Sequence, residues 1–375
     1  MHVEGRPTVA EVSLGALRDN CRQARALVGA GVGVLAVVKA DGYGHGAPEA
    51  ARAFLDGGAA GLGVSMVAEG LALRRAGIQA PIVVLGGVFP GEENATVAHD
   101  LAAAVWNLEG ARALAAAARA AERTAAVHLK VNTGMTRLGC EPGDVRALGE
   151  ALAAELHLRL DGVFSHFASA DAVETASARA QRARFAGAVE GLASAGIRPP
   201  QVHLANSAAV LAEPAAHFTM VRPGLMLYGY APAPHLAPRV ALRPAMRLRT
   251  AVAQTRRVPA GTPVGYGGTW VAARESAVAT LPLGYADGYH RSASNRAAMV
   301  VRGRRVPIAG RVCMDHIMLD VTDVPDVVAG DPVTAFGPHA ITADDVAGWC
   351  DTIAYEVLTS IGKRVPRVYV EEFDG

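Results

Sequence analysis

Short runs of branched and apolar residues recur along the first two thirds of the chain, each followed by a longer stretch with apolar positions three and four apart. That alternation is the mark of repeated strand and helix units, in which each helix buries one stripe against a sheet. Eight such runs fall at residues 34–38, 61–64, 82–85, 103–106, 126–131, 160–165, 201–205 and 219–222. Eight parallel strands with intervening helices predict a closed (β/α)8 TIM-type barrel. The run at 103–106 carries the weakest pattern. Ahead of the first run, Ser13 is placed to cap a helix in which Leu14, Leu17, Cys21, Ala24 and Val28 share one apolar face.

Prolines at 232, 234, 238 and 244 then break any regular element, because proline fixes its own torsion and donates no hydrogen bond. Beyond them the pattern changes. Residues 246–258, 277–283, 299–301, 316–321 and 332–336 read as strands punctuated by Gly and Pro, with helices expected near 342–349 and 355–361. The expectation is an α/β fold with two domains: an N-terminal barrel over residues 1–240 and a C-terminal, mainly β domain over residues 241–375.

Composition narrows the partners. Lys and Arg total 36 against 35 Asp and Glu, a formal net charge of +1, so no uniform field draws in nucleic acid or an acidic membrane surface. A small-molecule substrate is expected instead. Residues 1–7 lack the basic and apolar regions of a secretory leader, and no apolar run is long enough to span a bilayer. A cytoplasmic location follows. Cys21, Cys140, Cys313 and Cys350 lie far apart, without a disulfide framework or metal-ligand spacing, and are expected as reduced thiols. No metal is expected. The alanine-dense tract 111–121 suits a helix and carries no functional message.

Chemistry enters where polar residues interrupt the apolar runs. Lys39 closes the first barrel strand, where an ammonium is either functional or snorkels from the barrel mouth. Gly42, Gly44 and Gly46, beside Tyr43 and His45, let the backbone approach a ligand closely, which favours function. Lys130, His166, Asn206 with Ser207, and Arg222 stand at the C-terminal ends of later strands, the face on which barrel enzymes build their sites. Each also has a plain structural account, as a surface ion pair, a core histidine or a helix cap. Their shared rim is what weighs against coincidence. Residues 205–207 and 222–225 offer a hydroxyl and backbone N–H groups that suit a phosphate, while no P-loop or dinucleotide fingerprint is present.

Several ordered segments resemble the alanine racemase family across nearly the whole chain. In the barrel they are Val37-Val38-Lys39-Ala40-Asp41-Gly42-Tyr43-Gly44-His45-Gly46, residues 128–137 through Arg137, Ser165-His166-Phe167, Ala205-Asn206-Ser207 and Val221-Arg222-Pro223-Gly224. Later segments surround Tyr266, Tyr285, Met314 and Tyr355. His316 departs from the family pattern, which has glutamine after the Met-Asp pair. The resemblance implies a pyridoxal-phosphate (PLP) enzyme that interconverts L- and D-alanine through an imine of the cofactor, supplying D-alanine for peptidoglycan. It implies a homodimer in which the barrel of one subunit meets the β domain of the other.

By the same resemblance, Lys39 anchors the cofactor and serves as one base, and Tyr266 serves the opposite face of the α-carbon. Racemisation needs two such groups, one on each face. Tyr43, Ser207, Gly224, Leu225 and Tyr355 would meet the phosphate, Arg137 the phenolic oxygen and Arg222 the pyridine nitrogen, with His166 and Asn206 completing the cofactor's surroundings. Arg222 only donates and so favours an unprotonated ring nitrogen, which shortens the carbanion's life and limits transamination. Arg137, Met314, Tyr285 and Tyr355 would contact the substrate, and Lys130 would carry a carbamate that steadies Arg137. Asp171, Arg291 and Arg311 fit an entrance or a solvated surface equally well. Lys39 and the phosphate loops alone would also serve a non-catalytic PLP carrier, and the same lysine would serve a related PLP decarboxylase or a barrel aldolase that forms a Schiff base without PLP. Tyr266 with the second domain, Arg222, and the phosphate pattern weigh against these three in turn.

Overall fold

The structure, a computed structural model, describes residues 5–374; residues 1–4, part of the stretch read for a leader, and residue 375 lie outside it. Eight strands close into a parallel barrel as expected. After an opening strand β1 (Val9–Ser13), they are β2 (Gly33–Val37), β3 (Gly61–Val64), β4 (Ile82–Val84), β5 (Ala102–Val105), β6 (Ala125–Lys130), β7 (Leu158–Phe164), β8 (Gln201–His203) and β9 (Met220–Val221). Every neighbouring pair is parallel, and β9 returns to β2 through Gly33 opposite Met220.

Glycines in the barrel strands make room for large residues from a neighbouring strand. A Cβ on Gly63 would stand 3.0 Å from Leu85 Cδ1, and one on Gly162 only 2.3 Å from His128 Nδ1. Leu35, Val83 and Met220 pack together with the partly buried Leu85 and Ala102 in an apolar cluster that burial of apolar area stabilises. The expected first helix is present at Leu14–Val28, and Ser13 Oγ accepts from the Ala16 N–H at 3.0 Å.

The chain forms two compact units that a single cut near 240 does not separate. One holds residues 17–42 and 47–242; the other holds 5–16, 43–46 and 243–374. Pairing explains the first exchange: β1 runs antiparallel to Met246–Ala251 and parallel to Arg367–Val370. The six-stranded sheet of this unit has the order Arg304–Pro307, Ala298–Val301, Pro332–Phe336, Met246–Ala251, β1, Arg367–Val370. A second sheet joins Gln254–Val258, Ser276–Leu281 and Ile317–Asp320. The strand expected over 246–258 is therefore two strands, divided at Val252 and Ala253 because its halves enter different sheets. Helices at Ala343–Cys350 and Ala354–Ser360 match the expected pair, the former capped by Thr342. No helix among the described residues is long and apolar enough to cross a membrane.

Candidate active site

Strand polarity places the barrel's polar residues. Lys39 follows β2, Lys130 ends β6, His166 follows β7, Asn206 and Ser207 follow β8, and Arg222 follows β9. In a parallel barrel these ends share one rim. Burial lowers the Lys39 amine from its ordinary value, with the Arg137 charge adding to the effect and Glu69 opposing it. Lys130 is pushed down to about 7, first by burial and then by the charges of Arg222, Arg137 and Lys39. His166 is held well below its ordinary range by burial and the same cations, so its imidazole is neutral at neutral pH. A small pocket lies here, lined by Lys130, Asn132, Thr133, Arg137, Ser165 and His166.

The chain leaves β2 through an uncommon turn. Ala40 (φ 52°, ψ 52°), Asp41 (53°, 48°) and Gly42 (60°, 46°) are all left-handed, a conformation that costs L-residues about 1–2 kcal/mol each. Three bonds hold it. The Gly42 N–H donates to Val38 O at 2.9 Å, the Ala40 N–H to Glu69 Oε1 at 2.7 Å, and the Ala47 N–H to Asp41 Oδ1 at 3.0 Å. Glu69 Oε2 also accepts from the Ser65 and Met66 N–H groups, so one carboxylate ties the turn after Lys39 to the start of the helix Val67–Arg75. The sequence reading missed Glu69; its only signal was an acidic residue three positions after the helix cap Met66.

Arg222 is 3% exposed. One terminal nitrogen donates to His203 Nδ1 and His203 O, both at 2.9 Å; the other donates to Ser165 O at 2.6 Å, and to Leu204 O and His166 Nδ1 at 3.2 Å. None of these bonds uses Nε. Burial lowers its guanidinium to about 9. Nearby, Ser207 Oγ accepts from the Gly224 N–H at 2.8 Å and the Met226 N–H at 3.3 Å, which leaves the hydroxyl hydrogen for another acceptor. Asn206 is also a helix cap, accepting from the Ala209 N–H at 3.1 Å. His203 and its neighbour His128 were likewise missed, although His128 and Lys130, two apart on β6, had to share a face.

The other unit carries Tyr43, Tyr266, Tyr285, Met314 and Tyr355. Tyr43 and Tyr355 meet with ring centroids 6.0 Å apart. Tyr285 and Met314 are joined by backbone: the Tyr285 N–H donates to Cys313 O and the Ala286 N–H to Met314 O, each at 3.0 Å. Tyr266 stands between Gly265 and Gly267, both at φ 72°, and is 71% exposed. No group of His, Cys, Asp and Glu able to hold a metal occurs among the described residues.

Two family models cover this arrangement: the alanine racemase N-terminal domain matches residues 12–232 and the C-terminal domain residues 245–369. The chain belongs to the alanine racemase family. It is 45% identical to the alanine racemase of Geobacter sulfurreducens, with 98% of each chain covered, and 48% identical to that of Frankia casuarinae, with 96% of each covered. Among solved structures, the alanine racemase of the D-cycloserine producer Streptomyces lavendulae superposes with a TM-score of 0.94 at 40% identity over 99% of each chain. The Bacillus anthracis alanine racemase with bound L-Ala-P gives a TM-score of 0.92 at 36% identity, covering 98% of this chain and 96% of that one. Alanine racemases are PLP-dependent as a family.

Proposed function

We infer that this chain interconverts L- and D-alanine with PLP held at the barrel rim, and that it supplies D-alanine for peptidoglycan in the cytoplasm. The observation that carries the inference is the match to alanine racemases over both domains. Four cationic side chains, Lys39, Lys130, Arg137 and Arg222, act on one another there, and their charge suits the anionic phosphate and phenolic oxygen of the cofactor. When bound, PLP supplies the electron sink that acidifies the substrate's α-hydrogen.

The chain's own groups do the rest. Lys39 would hold the cofactor, and its lowered amine gives up a proton more easily than an ordinary lysine's, which suits a base. Tyr266 moves the proton on the opposite face of the α-carbon. Arg222 has Nε left that would donate to the ring nitrogen, and the Ser207 hydroxyl, the Gly224 and Leu225 backbone, Tyr43 and Tyr355 would hold the phosphate. Arg137 would hold the phenolic oxygen, and His166 and Asn206 would complete the cofactor's surroundings. Arg137 and the Met314 backbone bind the substrate carboxylate, and Tyr285 and Tyr355 narrow the space to a methyl side chain. Residues 1–240 serve as the cofactor domain and residues 241–375 as the donor of Tyr266, two copies pairing so that each site draws on both. The exposure of Tyr266, Tyr285 and Met314, at 71%, 40% and 52%, supports a partner that covers them.

Lys130, with its amine at about 7, is uncharged in enough molecules at neutral pH to take up carbon dioxide as a carbamate beside Arg137. The test of the function is direct. Purified protein incubated with L-alanine and PLP should form D-alanine by chiral chromatography, and Lys39→Ala and Tyr266→Phe should each abolish or severely slow it. Absence of D-alanine with the unaltered chain would remove the proposed function.

A further inference from the structure

Arg222 is a buried cation whose five bonds go to carbonyls and imidazoles, none to a carboxylate. Burying a guanidinium is costly unless acceptors surround it, so the state of each acceptor matters. A guanidinium only donates, and therefore His203 Nδ1, 2.9 Å from it, must accept. A neutral imidazole that accepts at Nδ1 carries its hydrogen on Nε2. That atom lies 2.8 Å from His128 Nδ1, which must accept in turn. Hydrogen on Nε2 of both histidines is thus the arrangement that satisfies both contacts, and it needs the donor at Arg222 and the acceptor at His128 together.

The surroundings are built for this arrangement. A register shift between Val127 and His128 in β6 turns His128 opposite Gly162, and any Cβ on Gly162 would strike the ring. Phe164 stacks on His203 with centroids 4.9 Å apart and planes 6° apart, while Arg222 Cζ and Lys130 Nζ each sit 5.2 Å from the same phenyl ring. An aromatic face and two imidazoles take the place of a counter-ion. Burial, with Arg222 adding, pushes both imidazoles down, His128 to about 4 against the pull of Asp161, so both are neutral where the enzyme works.

We propose that His128 is a positioning residue: by accepting from His203 Nε2 it locks the tautomer that leaves His203 Nδ1 free for Arg222, and so keeps the Arg222 donor aimed. The consequence for the cofactor rests on Arg222 facing the ring nitrogen, whereas the tautomer lock does not. Without an acceptor at 128, His203 is free to carry its hydrogen on Nδ1, which sets donor against donor at Arg222.

The test uses the PLP-loaded enzyme labelled with 15N-histidine. Long-range proton–nitrogen correlation should find both His128 and His203 neutral with hydrogen on Nε2 at neutral pH. His128→Leu should give His203 a mixture of tautomers and lower kcat about tenfold, the effect of one buried hydrogen bond. His128→Asn, which keeps an acceptor oxygen near the Nδ1 position, should restore both. A wild-type His203 with hydrogen on Nδ1, or a folded His128→Leu enzyme with an unchanged His203 tautomer, would overturn the proposal. If His128→Leu does not fold, the wild-type tautomers and the Asn variant decide: an Asn variant with a switched His203 refutes the lock. These spectra need no turnover, so a failure of the lock is distinct from a failure to racemise alanine.

Discussion

Removing the Glu69 carboxylate should loosen the turn that carries Lys39. Ala40 and Asp41 together place roughly 2–4 kcal/mol of left-handed strain in that turn. A hydrogen bond to a charged acceptor contributes about 1.5–3 kcal/mol when shielded. Ala40 is exposed, so water competes and the lower end applies; adding about 1 kcal/mol for the lost bonds at the helix start gives a penalty of about 2.5 kcal/mol for Glu69→Ala. That is comparable with the strain, so the turn should open far more often. Amide hydrogen exchange at residues 40–42 should quicken by roughly fifty- to a hundredfold, with strands of the barrel unaffected. Glu69→Gln, which keeps an acceptor, should fall between. Glu69 also opposes the lowering of the Lys39 amine. Its loss should therefore shift the acid limb of cofactor attachment to lower pH. Unchanged exchange at 40–42 in Glu69→Ala would refute the reasoning, because the carboxylate would then not be what holds the turn.

Other outcomes follow from single contacts. Gly44→Ala places a Cβ 2.2 Å from Leu358 O at φ +81°; the clash with backbone should cost about 2–4 kcal/mol, read from the urea midpoint. Asp287 is buried, which alone would raise its carboxyl, but the bond from Arg6 at 2.6 Å, the Gly284 N–H and the Arg6 and Arg364 charges lower it overall. With the folded value below the unfolded one, its contribution is complete above about pH 4 and is lost as pH falls through the folded value. Asp287→Asn should accordingly be less stable near neutrality and show a shallower acid slope in urea titrations. A 13C signal from labelled bicarbonate should grow as pH rises through about 7 and vanish in Lys130→Ala; a signal that survives the substitution would place the carbamate elsewhere.

The barrel was legible because its strands are buried, branched and evenly interrupted, and because a parallel strand's C-terminal end can be read from chain direction alone. Lys39, Lys130, His166 and Arg222 were found that way. Strand β5, with the composition Ala-Ala-Ala-Val, falls one residue earlier than expected, since alanine marks neither edge of a strand. β1 escaped notice because its partners are Met246–Ala251 and Arg367–Val370, contacts that no local window contains. The split at Val252 and Ala253 was hidden for a related reason: apolar residues continue through it, and only sheet membership divides the two strands. Glycines after Lys39 announced an unusual turn. That Ala40 and Asp41 also adopt it depends on a carboxylate supplied by the next strand–helix unit, which spacing cannot reveal.

The position of β1 has a consequence for how the polypeptide is made. β1, which is translated before the barrel strands, becomes an interior strand of a sheet whose two neighbours, Met246–Ala251 and Arg367–Val370, are translated after the whole barrel. It must wait unpaired while the barrel is completed. A fragment begun at residue 241 would expose two raw strand edges, inviting association with other chains. A short deletion through β1 would strike this sheet and leave the barrel's own pairing untouched.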